Sequence, residues 1–515
     1  MSQRLKNISG GVEKTASVVV LLLVFAFILY LTVSSLFETS FLSSDDPSGE
    51  RIVYLDDNVF LSIIILTILL LAGYIFYRRC DPINPGTMEK ILLAYVFLFG
   101  TAYVATTKLR PPVYSDSFLV TYGAQRAALG DHAILMENYF YRFPFQLGYV
   151  LYSEIFFRVV SIALRGEPEG YAVLALQEVN LFWLLLQYHA LIAITGVLFK
   201  DARIRKILML LLFFCFQPLL MTPFLYGNVP AFACGTVAIW MFLLHIKKRR
   251  MKYGILCAAF LTLAVTLKLN LLIYCVAIGI VWLIMLLKKP SRKSLLCLVM
   301  AAACVLTLPK LPQKLYEYRV GVNYGKGIPM IAWMAMGFSQ GHAAPGWYRE
   351  DYTVAAFEHS GHDSAATAEN ARSILQDRLF VFRTDPALAR DFFTEKLRSQ
   401  WNEPSYGSIW LNQVFPSYSE KGMMYNLLCG SGAKRMLDVM NVYQQFVFFA
   451  LLLGLIRLGK KKDLLRCLLP LVMLGGLLYH LLFEAKSQYA LPYFVLILPI
   501  AAYGLFTLYR KVELR

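Results

Sequence analysis

The chain has 515 residues, 58% of them hydrophobic and 16% charged, with a formal net charge of +17. A soluble domain averages roughly 45–50% apolar and about 25% charged residues, and apolar runs longer than about 18 residues recur here from end to end. A soluble enzyme, a disordered chain and a single-anchor receptor are therefore excluded, leaving a polytopic helical membrane protein.

The first apolar run, 17–36, follows Arg4, Lys6 and Lys14. It is too long for a signal-peptide core and lacks a small-residue cleavage site, so it reads as a retained helix. Further runs lie near 58–77, 89–107, 173–198, 206–223, 229–246, 251–267, 271–287, 294–309, 437–457, 465–483 and 489–509, which predicts about twelve transmembrane helices. The segments expected inside (1–16, 78–90, 200–206, 247–253, 288–293, 457–466 and 510–515) hold more than half of the 50 Lys and Arg. Short basic loops mark the cytoplasmic face, so both termini are expected in the cytoplasm. The positive charge thus reports topology, and no nucleic-acid partner is expected because it never gathers on a soluble face.

One apolar segment breaks the pattern. A crossing at 143–165 would place every later basic cluster outside, so it is predicted to be an outer interfacial or re-entrant helix, tolerated only where protein or a watery cavity covers it. The organisation expected is a bundle over 1–309 with a first outer loop at 108–172, a large outer loop domain at 310–436, and C-terminal helices over 437–515. Helical stretches are predicted at 364–382 and 386–401. The nine cysteines lie mostly in apolar segments without paired spacing, which argues against a disulfide framework or a zinc site.

The first outer loop concentrates polar chemistry. Asp116 follows a helix end and the stiff Pro111-Pro112 pair, where a carboxylate held at the membrane surface could take a proton from an incoming hydroxyl. A solvated loop acid is the competing reading. Glu137, Asn138 and Tyr139 precede Arg142, and Glu137 could line a polar pocket or simply face water. Arg142 at one helix mouth and Lys486 at another could bind phosphate, Arg through a fork and Lys as a point charge; snorkelling toward headgroups is the alternative for each. Glu484 could orient Lys486 or a ligand hydroxyl, or be an exposed helix-end acid. Lys268 and Asn270 interrupt an apolar region and read as a snorkelling outer turn. Glu358-His359-Ser360-Gly361-His362-Asp363 matches no strong metal-ligand spacing, and no metal site is expected. Asp45-Asp46 and Asp56-Asp57 lack the Asp-x-Asp spacing of metal-dependent sugar transferases.

The order of Asp116 after a helix end, then Tyr141-Arg142 and Phe143-Pro144-Phe145-Gln146, resembles the polytopic glycosyltransferases of the GT-C fold, among them protein O-mannosyltransferases, the aminoarabinose transferase and bacterial envelope members. Pro223-Phe224-Leu225-Tyr226-Gly227-Asn228-Val229-Pro230 resembles their outer Tyr-Gly-acidic-x-Pro turn, with Asn228 in place of the acid. Gly327 through Gly337 and Pro345-Gly346-Trp347-Tyr348 resemble the start of their large outer loop. Glu484-Ala485-Lys486-Ser487-Gln488-Tyr489 with Pro492 resembles the segment leading into their final helix, with Gln488 where Arg is commoner.

The resemblance implies a GT-C-like all-α membrane fold and an inverting hexosyltransferase with Asp116 as general base. Arg142, Gln146, Tyr139, Glu137, Tyr226, Glu484, Lys486 and Tyr489 are the substrate-binding candidates. It implies a polyprenyl-phosphate sugar donor and an extracytoplasmic glycan, polymer or lipid acceptor of a bacterial cell envelope. No cofactor is implied and the reaction is expected to be metal-independent, with room left for a divalent cation. The multi-pass chain would lie in the plasma membrane, its active site facing outward. Two rivals remain at this stage: a polysaccharide polymerase or ligase acting on polyprenyl-linked glycans, and a lipid-linked-sugar flippase, which would show paired inverted halves.

Overall fold

In hydrocarbon every backbone N–H and C=O must be satisfied within its own segment, so long apolar runs fold as helices. The computed structural model describes residues 3–43, 50–164, 170–415, 422–428, 430–460 and 463–514. Helix α1 (Gln3–Phe37) leads into a hairpin of β1 (Glu38–Ser43) and β2 (Arg51–Asp56), antiparallel, with Glu38 opposite Asp56. Then come α2 (Val59–Arg79) and α3 (Pro85–Thr107). The first long loop carries α4 (Asp116–Ala128), α5 (Asn138–Arg142) and α6 (Leu147–Leu164). Helices α7 (Gly170–Leu198), α8 (Ala202–Phe213), α9 (Gln217–Leu220), α10 (Asn228–Lys248), α11 (Met251–Leu267), α12 (Leu272–Lys288) and α13 (Arg292–Thr307) complete the N-terminal bundle. The large loop contributes α14 (Leu311–Val320), α15 (Met330–Gly337), α16 (Val354–His359), α17 (Ser364–Thr384), α18 (Pro386–Trp401), α19 (Ser408–Val414) and α20 (Met423–Leu428). The chain closes with α21 (Ala433–Gly459), α22 (Leu464–Leu482) and α23 (Ser487–Glu513).

Apart from the hairpin, this is an all-α polytopic membrane protein. Among the described residues ten helices are long and apolar enough to cross a membrane: α1, α2, α3, α7, α10, α12, α13 continued by α14, α21, α22 and α23. The other two expected spans differ from expectation. The run 251–267 is helical but spans only 17 residues. The run 206–223 is not one helix, for α8 stops at Phe213 and the chain turns before α9, where Pro218 has no N–H for a continued ladder. Gln177 and Asn180 of α7, both buried, donate to Pro223 O at 3.4 Å and Thr222 O at 2.9 Å and so satisfy carbonyls that follow this break, while the buried Gln217 within it donates to Pro404 O at 2.9 Å.

Helix α23 is buried along most of its length and forms the axis of the bundle, while α2 is peripheral. A Cβ at Gly504 would lie 2.0 Å from the Ala450 carbonyl oxygen, so α21 and α23 touch backbone to backbone there. The exposed Phe60, Leu61, Ile64, Ile68 and Leu71 of α2 suit a lipid-facing surface.

The two ends of the bundle differ. One end gathers the turns after α2, α7, α10, α12, α21 and α23, with their basic clusters. Arg203 reaches Asp81 at 3.2 Å and Glu513 at 3.5 Å, and Arg78 meets Glu513 at 3.0 Å, which fastens that end. The opposite end is capped by α4–α6, the large loop and the hairpin. The stretches expected helical at 364–382 and 386–401 are α17 and α18. The large loop opens as a helical continuation of α13, with α14 reaching Val320. The hairpin is fixed to that loop by Ser40, whose N–H donates to Asn402 O at 3.2 Å and whose hydroxyl donates to Arg398 O at 2.8 Å.

Candidate functional site

The capped end encloses a cavity of about 910 Å³. The proposed base and all eight substrate-binding candidates line it: Asp116, Glu137, Tyr139, Arg142, Gln146, Tyr226, Glu484, Lys486 and Tyr489.

Asp116 is placed by local backbone chemistry. After α3 ends, Tyr114 takes a left-handed φ of +66° and the N–H of Ser115 bonds Pro112 O at 3.0 Å. The Ser115 hydroxyl then caps α4 by accepting from the Phe118 N–H at 3.2 Å. Asp116 is thus the first residue of α4, where the helix dipole favours a carboxylate. Its side chain is open to the cavity yet enclosed by protein, and that burial raises its pKa; the Tyr226 hydrogen bond and the charges of Lys486 and Lys268 oppose the rise.

Tyr226 is brought to Asp116 by two independent contacts. The hydroxyls of Ser117 and Thr121 on α4 donate to Leu225 O at 3.0 and 3.4 Å. Gly227 follows with φ +83°, and a Cβ there would come within 2.5 Å of Leu267 O, so only glycine lets this turn seat against the end of α11. The Tyr226 hydroxyl then donates to Asp116 Oδ2 at 3.1 Å. Because its single proton is committed, the Tyr139 hydroxyl, 3.1 Å away, must donate to it.

The same seating sets Lys268 against Tyr226. Lys268 ends α11 in an extended conformation, and its Nζ lies 3.9 Å from the centroid of the Tyr226 ring. Burial pushes its pKa down to about 7, against the pull of Asp116 and Glu484; Lys486 adds to the lowering. The snorkelling expected of Lys268 is therefore not what the fold does: the side chain turns into the cavity.

The break between α22 and α23 supplies the third wall. Glu484 accepts from the Tyr489 hydroxyl at 3.2 Å. Burial pushes its carboxyl up to about 7; Lys486 and the Tyr489 hydrogen bond oppose this, while Glu50 and Asp116 reinforce it. Lys486 is ion-paired with Glu50 and lies 5.3 Å from the centroid of the Trp410 ring. Burial alone would depress Lys486, but Glu50, Glu484 and Asp116 outweigh it and hold its ammonium above the usual lysine value. Arg142, expected to be available for phosphate, is instead ion-paired with Glu358. Gln146 is buried where the Phe143-Pro144 bend enters α6, and Glu137 lies exposed at the start of α5. Gln488 lines the cavity, whereas Asn228 is buried outside it with both amide atoms unpartnered.

Two acids at the site escaped the sequence reading. Glu50 arrives beside the hairpin strand β2, which the β-branched and aromatic run Ile52-Val53-Tyr54 after Asp46-Pro47-Ser48-Gly49 could have signalled. Glu358 belonged to the stretch set aside as a metal motif. In that stretch His362 stacks on Phe357 and Tyr141, and Asp363 caps α17. Among the described residues no three His, Cys, Asp or Glu side chains gather as a metal-holding group.

No protein-family model matches the chain, and no curated protein does. Among solved structures, it is similar to the archaeal oligosaccharyltransferase AglB from Archaeoglobus fulgidus, solved with an inhibitory peptide and a dolichol-phosphate. The identity is 12% and the TM-score 0.41, over 83% of this chain and 51% of that one. The chain thus spans about half the length of that protein, and no residue's role is carried over from it.

Proposed function

We propose that the protein is an inverting GT-C-type glycosyltransferase. It would move a sugar from a polyprenyl-phosphate donor to an acceptor hydroxyl on the outer face of a bacterial plasma membrane. The observation that carries this reading is the single cavity in which Asp116, held by Tyr226, faces the ammonium groups of Lys268 and Lys486.

In this reaction Asp116 takes the proton of the acceptor hydroxyl, whose oxygen attacks the anomeric carbon from the side opposite the phosphate. The bond from that carbon to the phosphate oxygen breaks, and its electron pair leaves on polyprenyl phosphate. Positive groups aimed at the leaving oxygen favour this step most where charge develops. Lys486 would serve there once Glu50 yields, with Arg142 at the cavity mouth. Glu484, Tyr489, Glu137 and Gln146 would contact the sugar, and Tyr139 would keep Tyr226 turned toward Asp116.

Several features support this arrangement. The cavity lies at the end of the bundle opposite the basic turns, so the positive-inside rule turns it outward with both termini in the cytoplasm. Helix α6 then lies at the outer end without crossing, and the described part of the large loop acts as an outer domain over the site. The acceptor is an envelope glycan, polymer or lipid. The test is transfer from a synthetic polyprenyl-phosphate sugar by wild type and Asp116→Asn. Loss of a correctly placed base lowers the rate by about 10²–10⁴-fold, and undiminished transfer by the variant would sink the assignment.

A further inference from the structure

Three Lys and Arg side chains line the cavity, beside His342 and His480, and the three differ in what already holds them. Arg142 is paired with Glu358, and Lys486 with Glu50. Lys268 has neither an ion pair nor a hydrogen bond from its ammonium among the described residues; its contact is the face of Tyr226, 3.9 Å away. A cation on an aromatic face gains on the order of 0.5–2 kcal/mol, far less than a buried charge loses on leaving water. Lys268 is therefore the cation in this cavity with the most to gain from an arriving anion.

Its position is fixed rather than incidental. The N–H of Lys268 closes the last turn of α11 on Ala264 O at 2.9 Å, and its extended backbone turns the side chain inward. One face of Tyr226 carries the ammonium, and the hydroxyl of the same ring holds the Asp116 carboxylate. An anion on Lys268 is thus held one tyrosine away from the base.

We propose that Lys268 is the receptor for an anionic oxygen in this cavity, and that its ligand is the phosphodiester group of the lipid-linked donor. This rests on the glycosyl-transfer reading above and adds to it the residue that receives the phosphate. It also separates two roles: Lys268 is ready when the cavity is empty, whereas Lys486 must first exchange Glu50 for the ligand.

The charge states sharpen the test. The groups facing Lys268 are Asp116, Glu484, Lys486 and Tyr226, with Glu50 behind Lys486. A phosphodiester keeps one negative charge across the neutral range, so any pH dependence of its binding belongs to the protein. Lys268, pushed down to about 7, binds the anion as ammonium and loses that attraction as the pH rises. Glu484, pushed up to about 7, becomes negative over the same range and repels the ligand.

The experiment is calorimetric binding of dihexyl phosphate to the purified full-length protein between about pH 6 and pH 9. Wild type is expected to bind more weakly as the pH rises through about 7, and Lys268→Met to bind about tenfold more weakly than wild type at the acid end. Lys268→Arg, charged throughout, is expected to keep the affinity and to lose much of the decline, the remainder disappearing with Glu484→Gln. Binding by Lys268→Met within about threefold of wild type would overturn the inference and leave the transferase reading standing. So would a Lys268→Arg profile as steep as wild type. No binding by wild type would overturn the reading itself.

Discussion

The hydroxyl of Tyr226 donates to the carboxylate of Asp116 across 3.1 Å, joining two residues 110 positions apart. The bond stabilises the ionised form of Asp116 against the burial that raises its pKa. A base works ionised, so activity is expected to fall as the pH drops through the Asp116 pKa. Tyr226→Phe removes a bond worth about 1 kcal/mol, or roughly 0.7 pH unit, and keeps the ring under Lys268. The acid limb of the rate profile should therefore move up by about that much. An unmoved limb in a pH–rate series would show that Tyr226 does not tune Asp116.

Gly227 makes that contact possible. With φ +83° and Leu267 O 2.5 Å from an added Cβ, Gly227→Ala meets backbone strain and a clash with an atom that cannot swing aside. The strain alone costs about 1–3 kcal/mol. The expected outcome is a lower Tm and a larger loss of activity than Tyr226→Phe, since both Tyr226 and Lys268 would be displaced. Thermal unfolding and transfer rates on the same preparation check it.

Glu50 and a donor phosphate compete for Lys486. Glu50→Gln removes the competing charge, and a partly buried pair of this kind contributes on the order of 1 kcal/mol. Dihexyl phosphate is therefore expected to bind about fivefold more tightly. Weaker binding by Glu50→Gln in the same titration would mean that Glu50 positions Lys486 instead of occupying it.

Lys396, fully buried on α18, donates to Leu481 O at 3.0 Å, Phe483 O at 2.8 Å and Gly337 O. One ammonium thereby ties the large loop to the α22–α23 break that carries Glu484. Lys396→Met strands these acceptors at roughly 1–3 kcal/mol each. A lowered Tm is expected, with limited proteolysis opening the 338–408 region before the bundle. Unchanged proteolysis would show that the loop is docked without this contact.

Much of the fold is legible because crossing a membrane imposes a composition. Runs such as 58–77 and 229–246 leave no alternative to helices, and α2 and α10 occupy them. The run 206–223 looked equally apolar, yet Asn180 and Gln177 of α7 satisfy its Thr222 and Pro223 carbonyls, and its own Gln217 bonds Pro404 O. Composition within one run does not record that help. The site is legible by residue type, since all nine singled-out residues line one cavity. It is not legible by pairing. Arg142 and Lys486 carry the same charge as Lys268, and nothing local says that Glu358 and Glu50 will hold the first two.

The net charge of +17 and the apolar runs set by themselves the class of molecule, the approximate helix boundaries and the grouping of basic turns at one end. These are properties of each segment against its solvent, so local composition suffices. The tertiary structure decided which cavity cation has no ion pair among the described residues, which tyrosine holds the acid, and that the hairpin brings Glu50 to the cavity and the large loop brings Lys396 to the α22–α23 break beside it. Those outcomes depend on contacts such as Ser117 with Leu225 and Gly227 with Leu267, made between distant stretches of chain only once the helices have packed.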